Sequence, residues 1–180
     1  MLRHLLFRAL SFLFLFSAVR CTAQTLEQLE AQRVRLPNGW SLTPAGSSLP
    51  LGDLPLNMVL SPRRDLLAVT NNGQSDQTLQ LIDTKRMQVL DTVLMGKAWI
   101  GLAFSDDGRS LYASGGNDNW IVRFDVSDRH FVPKDTIRIG KPWPVAISPA
   151  GIALDDKRHM LYTVTTEDRA LNALELRGQQ

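Results

Sequence analysis

The chain has 180 residues, 44% of them hydrophobic and 21% charged, the proportions of a globular protein made of one domain or part of one. Its formal net charge of +2 is carried by the start of the chain: residues 1–23 hold Arg3, Arg8 and Arg20 and no acid, and without them 17 basic residues face 18 acidic ones. That balance removes any ground for binding nucleic acid or anionic membrane through charge, and a single cysteine, Cys21, excludes a disulfide framework.

Residues 1–23 read as a secretory signal peptide, with a positive start, an apolar run from Ala9 to Val19 and small residues before Gln24. Cleavage after Ala23 is expected, giving a secreted or periplasmic protein with no membrane span in the mature chain. The alternative, a lipoprotein acylated at Cys21, is disfavoured by Arg20, which occupies a position where the lipoprotein peptidase wants a small side chain. Residues 24–32 form a leader in which Thr25 and Gln28 stand at capping-box spacing, enough for one or two helical turns. Arg33 to Leu36 alternates polar and apolar residues, Pro37-Asn38-Gly39 turns, and Trp40-Ser41-Leu42 returns, which predicts a hairpin in a strand pair spanning 33–51.

From Gly52 the chain repeats itself. Gly96-Lys97-x-Trp99 returns 44 residues on as Gly140-Lys141-x-Trp143, and 44 residues earlier Gly52-Asp53-Leu54-Pro55 holds the same phase. Each marker leads into a segment of small residues (Asn57 to Ser61, Gly101 to Ser105, Gly151 to Asp155), a polar turn, and an aliphatic segment (Leu66 to Thr70, Leu111 to Ser114, Leu161 to Val164). A second turn and a segment closing on an acid (Asp83, Asp125, Glu175) follow. Ser105 and Asp155 are 50 residues apart, so the third copy holds about six extra residues near Val145 to Ala150. With a last segment such as Lys134 to Ile139, each copy supplies four short strands, and nothing after residue 33 keeps a helical period.

Four antiparallel strands per 40–45 residues is the signature of a β-propeller blade. The expected fold is all-β: a partial β-propeller over 33–180, with about three four-stranded blades at roughly 52–95, 96–139 and 140–180. The small-residue segment is expected innermost, where blades crowd around the axis. Closed propellers use about four to eight blades, and an open blade face exposes apolar surface and strand edges. The chain is therefore expected to be a fragment or truncated product, or to close through missing blades, a C-terminal domain or a partner chain.

With Gly-Lys-x-Trp, Ser105-Asp106-Asp107-Gly108-Arg109-Ser110-Leu111-Tyr112 and the terminal Asp125, the repeat resembles the YVTN-type, lactonase-like seven-bladed propellers of secreted bacterial proteins. More narrowly, Leu36-Pro37-Asn38-Gly39-Trp40, Leu42-Thr43-Pro44-Ala45-Gly46, Leu51-Gly52-Asp53-Leu54-Pro55 and Asn71-Asn72-Gly73 look like the start of YncE-like propellers. Those are fused to an alkaline-phosphatase-superfamily phosphoesterase domain. The resemblance covers residues 33–176 and implies a propeller that precedes a metal-dependent domain. It therefore implies no catalytic residue in this chain.

Four residues are candidates for binding a ligand: Lys97, Trp99, Lys141 and Trp143. They lie in the loops that precede the innermost strands, where ammonium groups beside indole faces suit an anionic or sugar-like ligand. The competing reading packs both tryptophans between blades and leaves the lysines solvated. Asp106-Asp107-Gly108 and Asp155-Asp156 read as turn residues, and Asn117-Asp118-Asn119 reads as a turn rather than a calcium loop. Asp83, Asp125 and Glu175 are expected to share a structural hydrogen bond. His4, His130 and His159 form no metal-binding pattern, neither Ser61 nor Ser105 sits in a nucleophile elbow, and no phosphate-binding glycine loop occurs. No catalytic residues, metal or cofactor are expected. The functional reading is a propeller-type module that binds a ligand or protein partner; a lactonase-like hydrolase and a truncated product without independent function are the alternatives.

Overall fold

The computed structural model describes residues 25–31, 33–42, 46–141 and 144–176. The signal peptide expected at 1–23 and the candidate Trp143 lie outside the described residues. The chain divides into two compact units, Met1–Ser48 and Leu49–Gln180.

In the first unit, α1 (Leu26–Ala31) starts at a reciprocal capping box. The Thr25 N–H donates to Gln28 Oε1 at 2.9 Å, and the Gln28 N–H donates back to Thr25 Oγ1 at 3.3 Å. The hairpin follows as β1 (Val34–Arg35) and β2 (Ser41–Leu42), with Val34 opposite Leu42. Its turn is closed by Gly39, whose φ of +82° needs the freedom of glycine, and by Asn38 Oδ1, which accepts from the Trp40 N–H at 3.1 Å.

The second unit is built of three antiparallel sheets. Blade 1 holds β3 (Pro55–Leu60), β4 (Leu66–Asn71), β5 (Thr78–Asp83) and β6 (Gln88–Leu94), in that spatial order. Blade 2 repeats the pattern with β7 (Leu102–Phe104), β8 (Ser110–Ser114), β9 (Trp120–Ser127) and β10 (His130–Arg138). Blade 3 holds β11 (Pro149–Asp155), β12 (Met160–Thr165) and β13 (Ala170–Glu175), three strands among the described residues. Each sheet is an up-and-down meander, which short polar turns between alternating strands produce directly.

The first strands of the blades converge: β3 packs against β7 and β7 against β11, while β6 meets β10 on the far side. Small residues at the convergence have a physical cause. Ser114 Oγ donates to the Pro149 carbonyl, and a Cβ at Gly101 would collide with the Ala150 carbonyl oxygen, so only glycine fits there.

The core lies between the blades. Leu66, Ala68, Leu79 and Leu81 of blade 1 meet Leu111 and Phe124 of blade 2, with Phe131 tilted against Phe124 at a ring separation of 5.7 Å. Blades 2 and 3 share a smaller cluster around Tyr112, Ile121 and Leu161. The same positions recur in each blade: Ala103, Tyr112 and Ile121 of blade 2 stand where Ala153, Tyr162 and Leu171 stand in blade 3. Ile121 is fully buried beneath blade 3, whereas Leu171 is 69% exposed.

Candidate functional site

Strands of a blade run between two ends, and the loops at each end form a separate surface. At one end lie the segments that precede the innermost strands, together with the turns between second and third strands. Lys97 is exposed in the loop before β7, and Trp99 is 37% exposed in the same loop. The Trp99 N–H donates to the Ser114 carbonyl at 3.1 Å, and its side chain lies along Gly116, whose φ of +53° brings bare backbone against the ring. Lys141 is exposed in the loop before β11.

What holds these loops is a set of side-chain amides from the preceding blade. Asn72, just after β4, donates to the Ala98 carbonyl, and the Ala98 N–H donates to Gln77 Oε1 at 2.6 Å. Both backbone polar groups of Ala98, a fully buried residue, are thereby satisfied from blade 1. Blade 2 repeats the device with one residue. Asn119 Nδ2 donates to the Lys141 carbonyl at 2.7 Å and to the Val145 carbonyl. Its Oδ1 accepts from the N–H groups of Ile147 at 2.7 Å and Ser148 at 3.0 Å. Asn119 is fully buried and left-handed, with φ +59°, and uses the whole donor and acceptor capacity of its amide on the loop that carries Lys141. Beside it, Asn117 Oδ1 accepts from Ser148 Oγ at 2.8 Å.

In the sequence Asn71-Asn72-Gly73 carries the family resemblance and Asn117-Asp118-Asn119 reads as a turn. Their reach into the next repeat was the missed feature. The available signal was an asparagine in the turn between second and third strands of two successive copies, each followed by a Gly-Lys loop. Trp99 and Lys141 thus belong to one chain of contacts running from Trp99 through Gly116 and Asn119 to the backbone of Lys141, Val145, Ile147 and Ser148, and Lys97 neighbours the clamped Ala98.

The opposite end carries a groove of about 900 Å³, lined by the turns between first and second strands of all three blades and by the β9–β10 hairpin. Of its carboxylates, Asp65, Asp107, Asp125 and Asp156 bond within the protein. Asp107 Oδ1 accepts from Ser105 Oγ at 2.6 Å and from the Arg109 N–H at 2.9 Å, and these bonds hold its carboxyl below the usual carboxylate range. Asp156 accepts from the Asp106 N–H, which ties the turn of blade 3 to that of blade 2.

Asp83, buried at the end of β5, accepts from the Arg86 and Lys85 N–H groups at 2.9 Å each and meets Arg129 Nη1 at 3.0 Å. The Arg86 N–H foremost, aided by that of Lys85 and by the Arg129 guanidinium, outweighs burial and lowers its pKa. Asp125 instead pairs with Arg123 and Lys134, each at 3.3 Å. The acids that close equivalent strands therefore serve different bonds. Among the described residues no three His, Cys, Asp or Glu side chains converge as a metal would require.

No family model matches the chain, and no curated protein matches it. Solved structures do. The hydrazine synthase of Kuenenia stuttgartiensis aligns over 73% of this chain and 34% of its own, with 16% identity and a TM-score of 0.56. The WD40 repeats of RRP9 align over 71% and 37%, with 16% identity and a TM-score of 0.57. The Dos1 propeller aligns over 68% and 30%, with 20% identity and a TM-score of 0.51. The chain spans about a third of the length of each of these structures. At such identities the likeness speaks for the fold, and the fold is that of a partial β-propeller.

Proposed function

We propose that this chain is a secreted, propeller-type interaction module that holds an anionic sugar or acidic partner on the rim carrying Lys97, Trp99 and Lys141. The observation that carries the reading is the amide clamping of both lysine-bearing loops. Asn72 with Gln77, and Asn119, fix loop backbone that has no strand of its own, and a fixed loop presents its ammonium group at low entropic cost. The groove at the other end supports binding less well, since Asp65, Asp107 and Asp125 already pair with Arg63, Arg109 and Arg123.

The same reading includes the finer resemblance: a YncE-like propeller, with blades at 52–95, 96–139 and 140–180, that works within a larger phosphoesterase-type protein or closes with further blades. The sequence around Leu36-Pro37-Asn38-Gly39-Trp40 supports that affiliation, and the exposed face of blade 3 supports the need for a covering partner. A propeller hosts many unrelated functions, so the rim decides the assignment rather than the fold.

The test uses residues 24–180 and oligogalacturonate as probe, with neutral dextran as control. Retention of oligogalacturonate alone is expected, and the double variant Lys97→Ala, Lys141→Ala is expected to lose it while melting at the wild-type temperature. Equal retention by the double variant, or no preference for the anionic sugar in the wild type, overturns the assignment.

A further inference from the structure

We propose that Lys97, Trp99 and Asp118 form one subsite for an amino-sugar acid, a ring that carries a free ammonium group as well as a carboxylate. The subsite rests on the lysine-rim reading and narrows the ligand that the rim selects. Two adjacent glycines build it. Trp99 lies along Gly116, and the indole of Trp120, at the start of β9, covers Gly115, where a Cβ would collide with its Nε1 and Cδ1. A Cβ at Gly96 would meet Trp120 Cζ2 at 4.0 Å and Asp118 Oδ2 at 3.6 Å, so Trp120 and Asp118 both stand against the peptide that leads into Lys97. The contacts close a ring: Lys97 to Trp99 along the loop, Trp99 to Gly116, Gly116 to Asp118 within one short 3-10 turn, and Asp118 back to Gly96. The turn is held by its own backbone, since the Asp118 N–H donates to the Gly115 carbonyl at 3.2 Å and the Asn119 N–H to the Gly116 carbonyl at 3.0 Å. Indoles that already rest on bare main chain need little ordering when a ligand arrives.

The charges of this ring do not satisfy one another. Asp118 is half-buried and stands beside Gly96, next to Lys97, yet among the described residues neither its carboxylate nor the Lys97 ammonium group makes a hydrogen bond or an ion pair. A carboxylate without a donor, placed within a site for anions, repels an anion that brings nothing else. A cation alone meets the same objection from Lys97. A ligand with both charges answers both groups, its carboxylate on Lys97 and its ammonium on Asp118, through charge-assisted hydrogen bonds. The exposed side of the Trp99 indole lies between them in the ring of contacts and offers an apolar face to the C–H face of a sugar. Stacking then fixes the ring that holds the two charges apart, which separates an amino-sugar acid from a small zwitterion without a ring.

The probe is muramic acid, and the control is N-acetylmuramic acid, which keeps the ring and the carboxylate and loses the ammonium group. Both are titrated into residues 24–180 by calorimetry at mildly acid pH, where the free amine is charged. Muramic acid is expected to bind about tenfold more tightly than its acetylated form. Asp118→Asn is expected to erase that difference while melting at the wild-type temperature, because the carboxylate has no bond within the described residues to lose. Lys97→Ala is expected to weaken both sugars. The acetylated control alters the ligand and leaves the protein untouched, so it decides the matter if a variant does not fold. Equal affinity for the two sugars, a preference that survives Asp118→Asn, or equal binding of free glycine, a zwitterion without a ring, overturns the subsite. Oligogalacturonate retention that depends on Lys97 and Lys141 in the same preparation leaves the rim standing when the subsite fails, and loss of that retention as well overturns both.

Discussion

Replacing Asn119 by alanine removes the clamp on the loop that carries Lys141, and its cost can be worked from the contacts. The amide makes four hydrogen bonds, two as donor and two as acceptor, and the Ser148 N–H it receives belongs to a buried residue. Leaving a buried N–H without a partner costs about 1–3 kcal/mol. Alanine at φ +59° adds about 1 kcal/mol of left-handed strain. Together Asn119→Ala is expected to destabilise by about 3 kcal/mol, which at a urea dependence of about 2 kcal/mol per molar lowers the midpoint by roughly 1.5 M. Asn119→Gly isolates the amide from the backbone, because glycine accepts the left-handed angle, and it is expected to recover about 1 kcal/mol of that loss. The assay is urea unfolding at fixed protein concentration, read by tryptophan fluorescence and repeated by amide exchange. In the exchange experiment residues 145–148 lose protection before the core between blades 1 and 2. An alanine variant within about 0.5 kcal/mol of wild type, the scatter of an ordinary surface change, would refute the clamp.

Two further expectations follow from the same contacts between blades. Gly101→Ala places a methyl group against the Ala150 carbonyl and is expected to cost about 2–3 kcal/mol, measured as a lowered unfolding midpoint; a neutral result means the inner strands do not approach as described. Asp83 has a folded pKa below its ordinary 3.8, so its bonds to the Arg86 and Lys85 N–H groups and to Arg129 contribute fully above that value. That contribution disappears as pH falls through the depressed folded value. The stability difference between wild type and Asp83→Asn is therefore expected to be constant near neutrality and to shrink in acid, and a difference that grows on acidification contradicts the assignment.

The sheet order was legible because short apolar segments recur in one order in each copy and each turn carries its own chemistry: Asp107 bonding the backbone at Arg109, or the Pro37-Asn38-Gly39 turn of the hairpin. The capping box of α1 was legible for the same local reason. What joins one blade to the next was not. Asn72 finds Ala98 across 26 residues and Asn119 finds Ser148 across 29, and nothing in a turn sequence distinguishes an asparagine that serves its own turn from one that reaches into the next repeat. Asp83 and Asp125 were assigned one shared bond from their equal position in the repeat. Their partners differ because Arg129, in the β9–β10 hairpin, reaches back to blade 1, while Asp125 lies beside Arg123 and Lys134. Asp91-Thr92-Val93 and Asp135-Thr136-Ile137 lie 44 residues apart in the sequence, but the register shift beside each is a property of pairing and is visible only in the sheet.

The unit Leu49–Gln180 is a partial β-propeller in which blade 3 leaves Val164 and Leu171 exposed among the described residues. Sedimentation of residues 24–180 over a range of concentrations, paired with thermal melting, tests it most directly. The open face at Tyr162, Val164 and Leu171 leads to concentration-dependent association, with melting that depends on concentration as well. A soluble monomer at every concentration that melts in one cooperative transition would contradict the account.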